Sequence, residues 1–496
     1  MLPRWLQAPA IPVLGLALLA LAVRLAAAAS CGPMNDEAFT ALVSSRPVAE
    51  ILTAARPDNN PPGYYLLLHP LAVRTGNVLL LRLPSILAGV GAVLLGGLAG
   101  RRLGLGWGPG LGLACAWSLW LADGQIRQYG VLLLAATAAL VLSLQACRAP
   151  LKRPEAALYL GACALLPLAN YSGFLAVGAL AVAALAGPGS RRGLAGLSLL
   201  ALAPGLGWLA WALAGPTRSD LLRSAFAAPS VREALQVPGY LAGLSAPLYW
   251  PAGGPVSGAP LLETLLGLLL AGLALVGFLR LRARDAGPEA WTLAATLLLP
   301  LGGLLAMGLS GAQAFQPRYL VPQAAPFLLL LFSALPRPGN RALALLVVLV
   351  NLGTAALFPS SPHLWNQDWP SVARWIRQRE APGDRLGVWR PYSLVGLNFS
   401  YAPGQVGLDF SEAGRMGFEY GPGYRGLPQE PLAGAPDPRS ARRFFVVLCP
   451  SDDPAANPLI GALNRDWEVL DARVQPSVHA WGRIAVYLLR PRRPER

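Results

Sequence analysis

The feature that most constrains this chain is a succession of apolar runs such as "IPVLGLALLALAVRLAAAAS" (11–30). A bilayer crossing takes roughly 17 to 25 apolar residues, and within hydrocarbon only a helix or a closed barrel satisfies its own backbone. Runs of this kind near 10–29, 78–100, 107–122, 129–147, 156–170, 173–187, 194–214, 260–279, 290–309, 318–335 and 341–358 predict about eleven transmembrane helices. The expected fold class is therefore mostly α, a polytopic membrane bundle. Composition agrees, because only 13% of residues are charged and 54% are hydrophobic, where a soluble chain carries roughly a quarter charged. A net charge of +15 raises the question of nucleic acid. No Lys/Arg cluster is interleaved with aromatics, and the basic residues lie mostly between apolar runs, so no nucleic-acid partner is expected.

The basic loops set the orientation. "GRRLG" (100–104), "CRAPLKRPE" (147–155), "GSRRG" (189–193), "RLRARDAGPE" (280–289) and "RPGNR" (337–341) all fall on one side, which the positive-inside rule makes cytoplasmic. By alternation 30–77, 123–128, 171–172, 215–259 and 310–317 face outward, as does everything after about 359. The chain is expected to be multi-pass in the cell (inner) membrane. Its first run reads as a retained helix, with no convincing small-residue cleavage site before Cys31. Asp36–Ala55 and "PPGYYLLLHPLAV" (61–73) read as helices lying along the membrane surface. The core domain is placed at 1–358 and an extracytoplasmic soluble α/β domain at 359–496, where charge rises and apolar runs shorten. There, "WPSVARWIRQRE" (369–380) predicts a helix, and "DRLGVW" (384–389), "RRFFVVLC" (442–449) and "GRIAVYLL" (482–489) predict buried strands. Trp365, Trp369 and Trp375 read as core.

Cys31, Cys115, Cys147, Cys163 and Cys449, with His69, His363 and His479, have no metal-ligand spacing. No metal and no cofactor is expected. Cys31 and Cys449 both fall on the outer side, and spacing leaves open whether they pair.

The unusual chemistry is on the outer face. In "CGPMNDEAF" (31–39), Asp36 and Glu37 stand side by side at the mouth of the first span. One reading is a helix start, with Asn35 or Asp36 capping and Glu37 favoured by the helix dipole. The other outer segments argue for more. "ADGQIRQYG" (122–130) carries Asp123, Arg127 and Tyr129 in a short turn, "QPRYLVP" (316–322) carries Arg318 and Tyr319, and "LLLRLPS" (79–85) sets Arg82 in an apolar run. Arginine keeps its proton and so needs a counter-anion, a phosphate or the interface. Carboxylates with arginines at an outer leaflet suit transfer from a lipid-linked phosphate. The arginines hold the leaving phosphate, and a carboxylate takes the acceptor's proton.

In order, "NDEAF", "DNNPPGYYLLLHPL", "LRLPSILAGVGAVLLGGLAGRRLG", "IRQYGVLLL" and "PRYLVPQAAPFLLL" resemble the pattern of family 39-like polytopic glycosyltransferases. That family includes protein O-mannosyltransferases and lipid A aminoarabinose transferases. The resemblance runs over roughly 1–335 and is strongest over 30–135. It implies a GT-C fold, a polyprenyl-phosphate-linked sugar donor and inversion at the sugar carbon. It further implies Asp36 as the catalytic carboxylate with Glu37 its partner, and Arg127 and Arg318 on the donor phosphate. Arg82 either joins them or is a helix-packing signature. Asp58, Asn60, Tyr64, Tyr129 and Tyr319, in or beside the matched motifs, are the substrate-binding candidates. Asn59 and Asn60 stand where the family often has Lys or His. Tyr240, Tyr249 and Trp250 in the outer loop are candidates for stacking on sugar or packing on lipid. The acceptor is a hydroxyl of a protein, lipid or glycan. A transporter or flippase of a lipid-linked sugar is the alternative of another class, although charges at one face and no internal repeat argue against it. A sensor or assembly scaffold that works through its tail is a third.

Overall fold

The computed structural model describes residues 10–58, 60–186, 191–214, 231–244, 260–309, 317–357, 367–389, 393–402, 405–409, 417–420, 426–432, 436–438, 441–449, 458–475 and 484–492. Helix α1 (Ala10–Ser30) leads into three short helices, α2 (Asn35–Ser44), α3 (Val48–Ala55) and α4 (Gly63–Ala72), and then the long α5 (Val78–Arg102). There follow α6 (Gly108–Cys115), α7 (Trp117–Asp123), α8 (Tyr129–Ala146), α9 (Arg153–Ala169), α10 (Ser172–Leu185), α11 (Arg192–Ala201) and α12 (Ala203–Leu213). The bundle is completed by α13 (Val231–Ala242), α14 (Pro260–Ala283), α15 (Gly287–Met307), a 3-10 turn (Pro317–Gln323), α16 (Ala324–Ser333) and α17 (Arg337–Leu357). Every run expected to span falls on helix. Among the described residues six helices are long and apolar enough to cross a membrane unaided. Leu18, Leu87, Leu269, Leu298 and Leu346 stay exposed on their outsides, as suits a surface solvated by lipid rather than water.

Two expected spans leave α-helical geometry, and a third, 194–214, divides at Leu202 into α11 and α12 with its backbone still in the helical region. The 107–122 run breaks at Ala116, whose ψ of 110° leaves the helical region although it is neither Gly nor Pro. A side chain from α17 stabilises the break: Trp117 N donates to Asn351 Oδ1 at 2.8 Å, while Asn351 Nδ2 donates to Val347 O at 2.7 Å. The 318–335 run opens as the 3-10 turn before α16 continues it. Elsewhere α8 meets α5 so closely that a Cβ at Gly130 would lie 2.0 Å from Ser85 O. Gly130 N also donates to Ser85 Oγ there, at 3.1 Å. Arg24, within the first apolar run, is fully buried against Asp123, with Nε and Nη2 at 3.0 and 2.8 Å from Oδ2.

The tail folds as α18 (Trp369–Arg377), β1 (Arg385–Trp389), α19 (Ser393–Tyr401), β2 (Val406–Asp409), β3 (Gly417–Tyr420), β4 (Gln429–Leu432), β5 (Phe444–Leu448), α20 (Pro458–Asp466), β6 (Trp467–Gln475) and β7 (Ile484–Pro491). The main sheet has the order β4-β1-β5-β7-β6. It is parallel from β4 through β5 and antiparallel across β7 and β6. Strand β5, "FFVVL", is buried along its whole length, the continuous apolar pattern of a central strand covered on both faces. Asp368 caps α18 by accepting from Ser371 N at 3.1 Å. Trp369, Val372, Trp375 and Ile376 of α18 join the core of this unit. The three predicted strands coincide with β1, β5 and β7.

This unit sits on α2. Gln367 Oε1 accepts from Asn35 N at 2.9 Å and from Trp369 Nε1 at 3.1 Å. Asn35 Oδ1 accepts from Gly396 N at 3.2 Å, and a Cβ at Gly396 would lie 2.3 Å from that oxygen. Cys31 and Cys449 are both free thiols. Gln367 Nε2 donates to Cys449 Sγ at 3.5 Å, and burial pushes the Cys31 thiol up to about 12.

Candidate active site

The first turn of α2 carries both acids, and the geometry separates them. Asp36 is partly open, its side chain 28% exposed. Its Oδ2 lies 3.1 Å from Arg318 Nη1 and 3.9 Å from Arg127 Nη2. Residues from α2, from the turn before α8 and from the 3-10 turn before α16 thus meet at one carboxylate oxygen. Arg127 Nη1 also donates to Thr40 Oγ1 at 3.2 Å and to Asp36 O at 3.4 Å. Burial works against the charge of Arg127, yet the Asp36 carboxylate, with Tyr129 and Tyr65, outweighs it and holds the pKa above the ordinary value. The guanidinium of Arg318 lies over the ring of Tyr319, 5.7 Å from its centroid.

Glu37 points the other way and is fully buried. Its Oε1 and Oε2 accept from Arg82 Nε and Nη2, both at 2.8 Å. Ile126 N and Met34 N donate to the same carboxylate at 2.8 and 3.0 Å. The last of these is a helix-start contact: Met34 occupies the cap position, and Glu37 reaches back to its N–H. Arg82 is saturated as well, donating to Ala28 O, to Cys31 O at 2.8 Å and to Gly32 O at 3.2 Å. This pair therefore fastens the end of α1, the start of α2 and α5 to the turn that carries Arg127.

The substrate-binding candidates divide in the same way. Asp58 accepts from Tyr65 OH and, at 3.4 Å, from Asn60 Nδ2. Asn60 Oδ1 accepts from Gln128 Nε2 at 2.6 Å and from Asn170 Nδ2 at 3.3 Å. The hydroxyls of Tyr64 and Tyr129 and Nε of Arg127 are buried without a hydrogen-bond partner among the described residues. Burial, and then the Glu37 charge, raise the Tyr64 phenol above its ordinary pKa, so it stays a neutral donor. Thr40, Tyr65, Gln128 and Asn170 are the members that sequence reading missed. Gln128 follows Arg127 and Asn170 opens "NYSGF", but a neutral side chain carries little signal until its partners are known. Tyr240 is buried against Trp117, edge to face at 6.2 Å between ring centroids. Asn59, Tyr249, Trp250, Trp365, His363 and His479 lie outside the described residues. Among the described residues no group of three or more His, Cys, Asp or Glu is arranged to hold a metal.

The protein is thus a polytopic helical bundle followed by a small mixed sheet, with Asp36 and Glu37 on a short helix after the first long one. The particular likeness is to ArnT from Cupriavidus metallidurans, whose crystal structure is bound to undecaprenyl phosphate: TM-score 0.56 at 14% identity, over 97% of this chain and 98% of that one. No protein-family model matches the chain, and no curated protein matches it by sequence. The likeness establishes an ArnT-like fold and a multi-pass membrane protein.

Proposed function

We propose that the protein is a membrane glycosyltransferase. It moves a sugar from a polyprenyl-phosphate donor to an acceptor hydroxyl of a protein, lipid or glycan on the extracytoplasmic face. The observation that carries this reading is the meeting of Arg127 and Arg318 on Asp36, in the fold of a protein that binds undecaprenyl phosphate. The acceptor oxygen attacks the anomeric carbon and gives its proton to Asp36. The carbon–oxygen bond to phosphate breaks with its electron pair going to the phosphate, and the sugar carbon inverts. Arg127 and Arg318 meet the charge that develops on the leaving phosphate. Tyr64, Tyr129 and Tyr319 line the sugar's approach, and Asp58 and Asn60 set its orientation.

Glu37 and Arg82 act in this reading as positioning residues. With both partners' hydrogen bonds made inside the protein, they hold the α2 turn so that Asp36 faces the arginines. The test is transfer of labelled sugar from polyprenyl-phosphate donors by the purified full-length protein. Label in an acceptor supports the proposal. Movement of intact labelled donor across a bilayer without transfer would replace it with the flippase reading.

A further inference from the structure

The end of the bundle opposite Asp36 holds a buried guanidinium, that of Arg191, that makes no ion pair among the described residues. Helix α8 has 18 residues, so at about 1.5 Å per residue its far end lies about 27 Å from the turn that bears Arg127. Arg191, which precedes α11, is only 2% exposed there. Its Nη2 donates to Thr292 Oγ1 at 2.8 Å, and its Nε is buried with no hydrogen-bond partner among the described residues. Thr292 is neutral and spends its own proton on Pro288 O at 2.7 Å. The nearby carboxylates are engaged elsewhere. Glu289 accepts from Arg148 Nε at 2.7 Å, while Glu155 accepts from Lys152 N and Gln145 Nε2, both at 2.8 Å. Among the described residues Arg191 has no carboxylate partner. Arg102, at the end of α5, has a buried Nη1 with no hydrogen-bond partner among the described residues. Helices α5 and α8 run side by side from the Ser85–Gly130 contact, which brings Arg102 level with Cys147, and Cys147 Sγ lies 3.6 Å from Thr292 Oγ1, the hydroxyl that Arg191 holds.

A buried guanidinium cannot shed its proton, and a buried charge is stable only when paired. Two guanidinium groups offer the forked, multiple donors that phosphate oxygens accept. We propose that Arg191 and Arg102 form an anion site, at the end of the bundle opposite Asp36, that takes a phosphate group. The chemistry is common to an anionic phospholipid headgroup of the adjoining leaflet and to a soluble phosphate, which experiment separates.

Full-length protein is placed in phosphatidylcholine nanodiscs with or without phosphatidylglycerol. A further neutral nanodisc sample receives inorganic phosphate against chloride of equal ionic strength. The expected result is a higher Tm with an anionic probe, and a tenfold or greater loss of that probe's affinity in Arg191→Gln. A rise with phosphatidylglycerol alone assigns a headgroup; a rise with inorganic phosphate in the neutral nanodisc assigns a soluble anion. No rise with either probe overturns the proposal, as does an equal rise in wild type and variant. It also fails if Arg191→Gln is the more stable protein in every bilayer, since removal of an unpaired charge would then be a relief. Should Arg191→Gln not fold, Arg102→Gln, at a half-buried position, carries the same comparison.

Discussion

Asp36 and Glu37 are adjacent acids with the same chemistry, and apart from the family resemblance nothing in the sequence ranks one above the other. Burial does. Glu37 is closed off by Arg82 and two backbone N–H groups, whereas Asp36 remains partly open between two arginines. Asp36→Asn is expected to lower kcat by about 10²- to 10⁴-fold, the usual range for loss of a general base. Its donor binding should stay near wild type and its melting temperature should fall less than that of Glu37→Gln, since Asp36 is partly open; wild-type turnover would remove Asp36 from the chemistry. Glu37→Gln behaves differently, because it strands the Arg82 charge. It should lose about 3 to 5 kcal/mol of stability, and Glu37→Gln with Arg82→Met should recover part of that loss. Thermal unfolding of the three proteins checks this, and equal stability of single and double variants would contradict the pairing. Arg82 was readable as charged in an apolar run, but its partner 45 positions away was not. Arg24 makes the same point, since its pairing with Asp123 spans 99 positions.

Helices were legible from hydropathy because a span needs length more than detail. Interruptions were less so. The break at Ala116 has no Gly or Pro to announce it, and depends on Asn351 from a distant helix. Asn351→Ala leaves Trp117 N buried and unsatisfied, for an expected loss of about 1 to 3 kcal/mol, measurable as a lower thermal midpoint. In the tail, β5 and β7 announced themselves by continuous apolar runs. β6 did not, because as an edge strand it exposes residues on both faces, Val469 and Val474 among them. A hydrogen bond from Arg379 lowers the pKa of Asp471 on β6. The carboxylate therefore stabilises the fold above the unfolded value of about 4, and that contribution is lost as pH falls through the folded value. The group is exposed, so the effect is small. Asp471→Asn should show a slightly lower urea midpoint than wild type at pH 6 and a smaller difference near pH 3.

At the scale of the molecule, the order of charged motifs foretold that Asp36, Arg127 and Arg318 would come together, because each stands at the same end of its helix. Arg191 and Arg102 went unremarked, since basic loops are explained by topology before any other cause is sought. The positive-inside expectation that the basic loops are cytoplasmic predicts that protease added to sealed right-side-out vesicles cuts the C-terminal unit and spares 147–152; the reverse pattern would invert the assignment. The tail's grip on the core has a further consequence. Gln367 and Gly396 seize Asn35 at its backbone nitrogen and its amide oxygen, one residue before Asp36. Any sway of the sheet is thereby transmitted to the residue beside the reacting carboxylate. A chimera that borrows another protein's tail must reproduce that handhold, or inherit a membrane half whose first outer turn has lost its anchor.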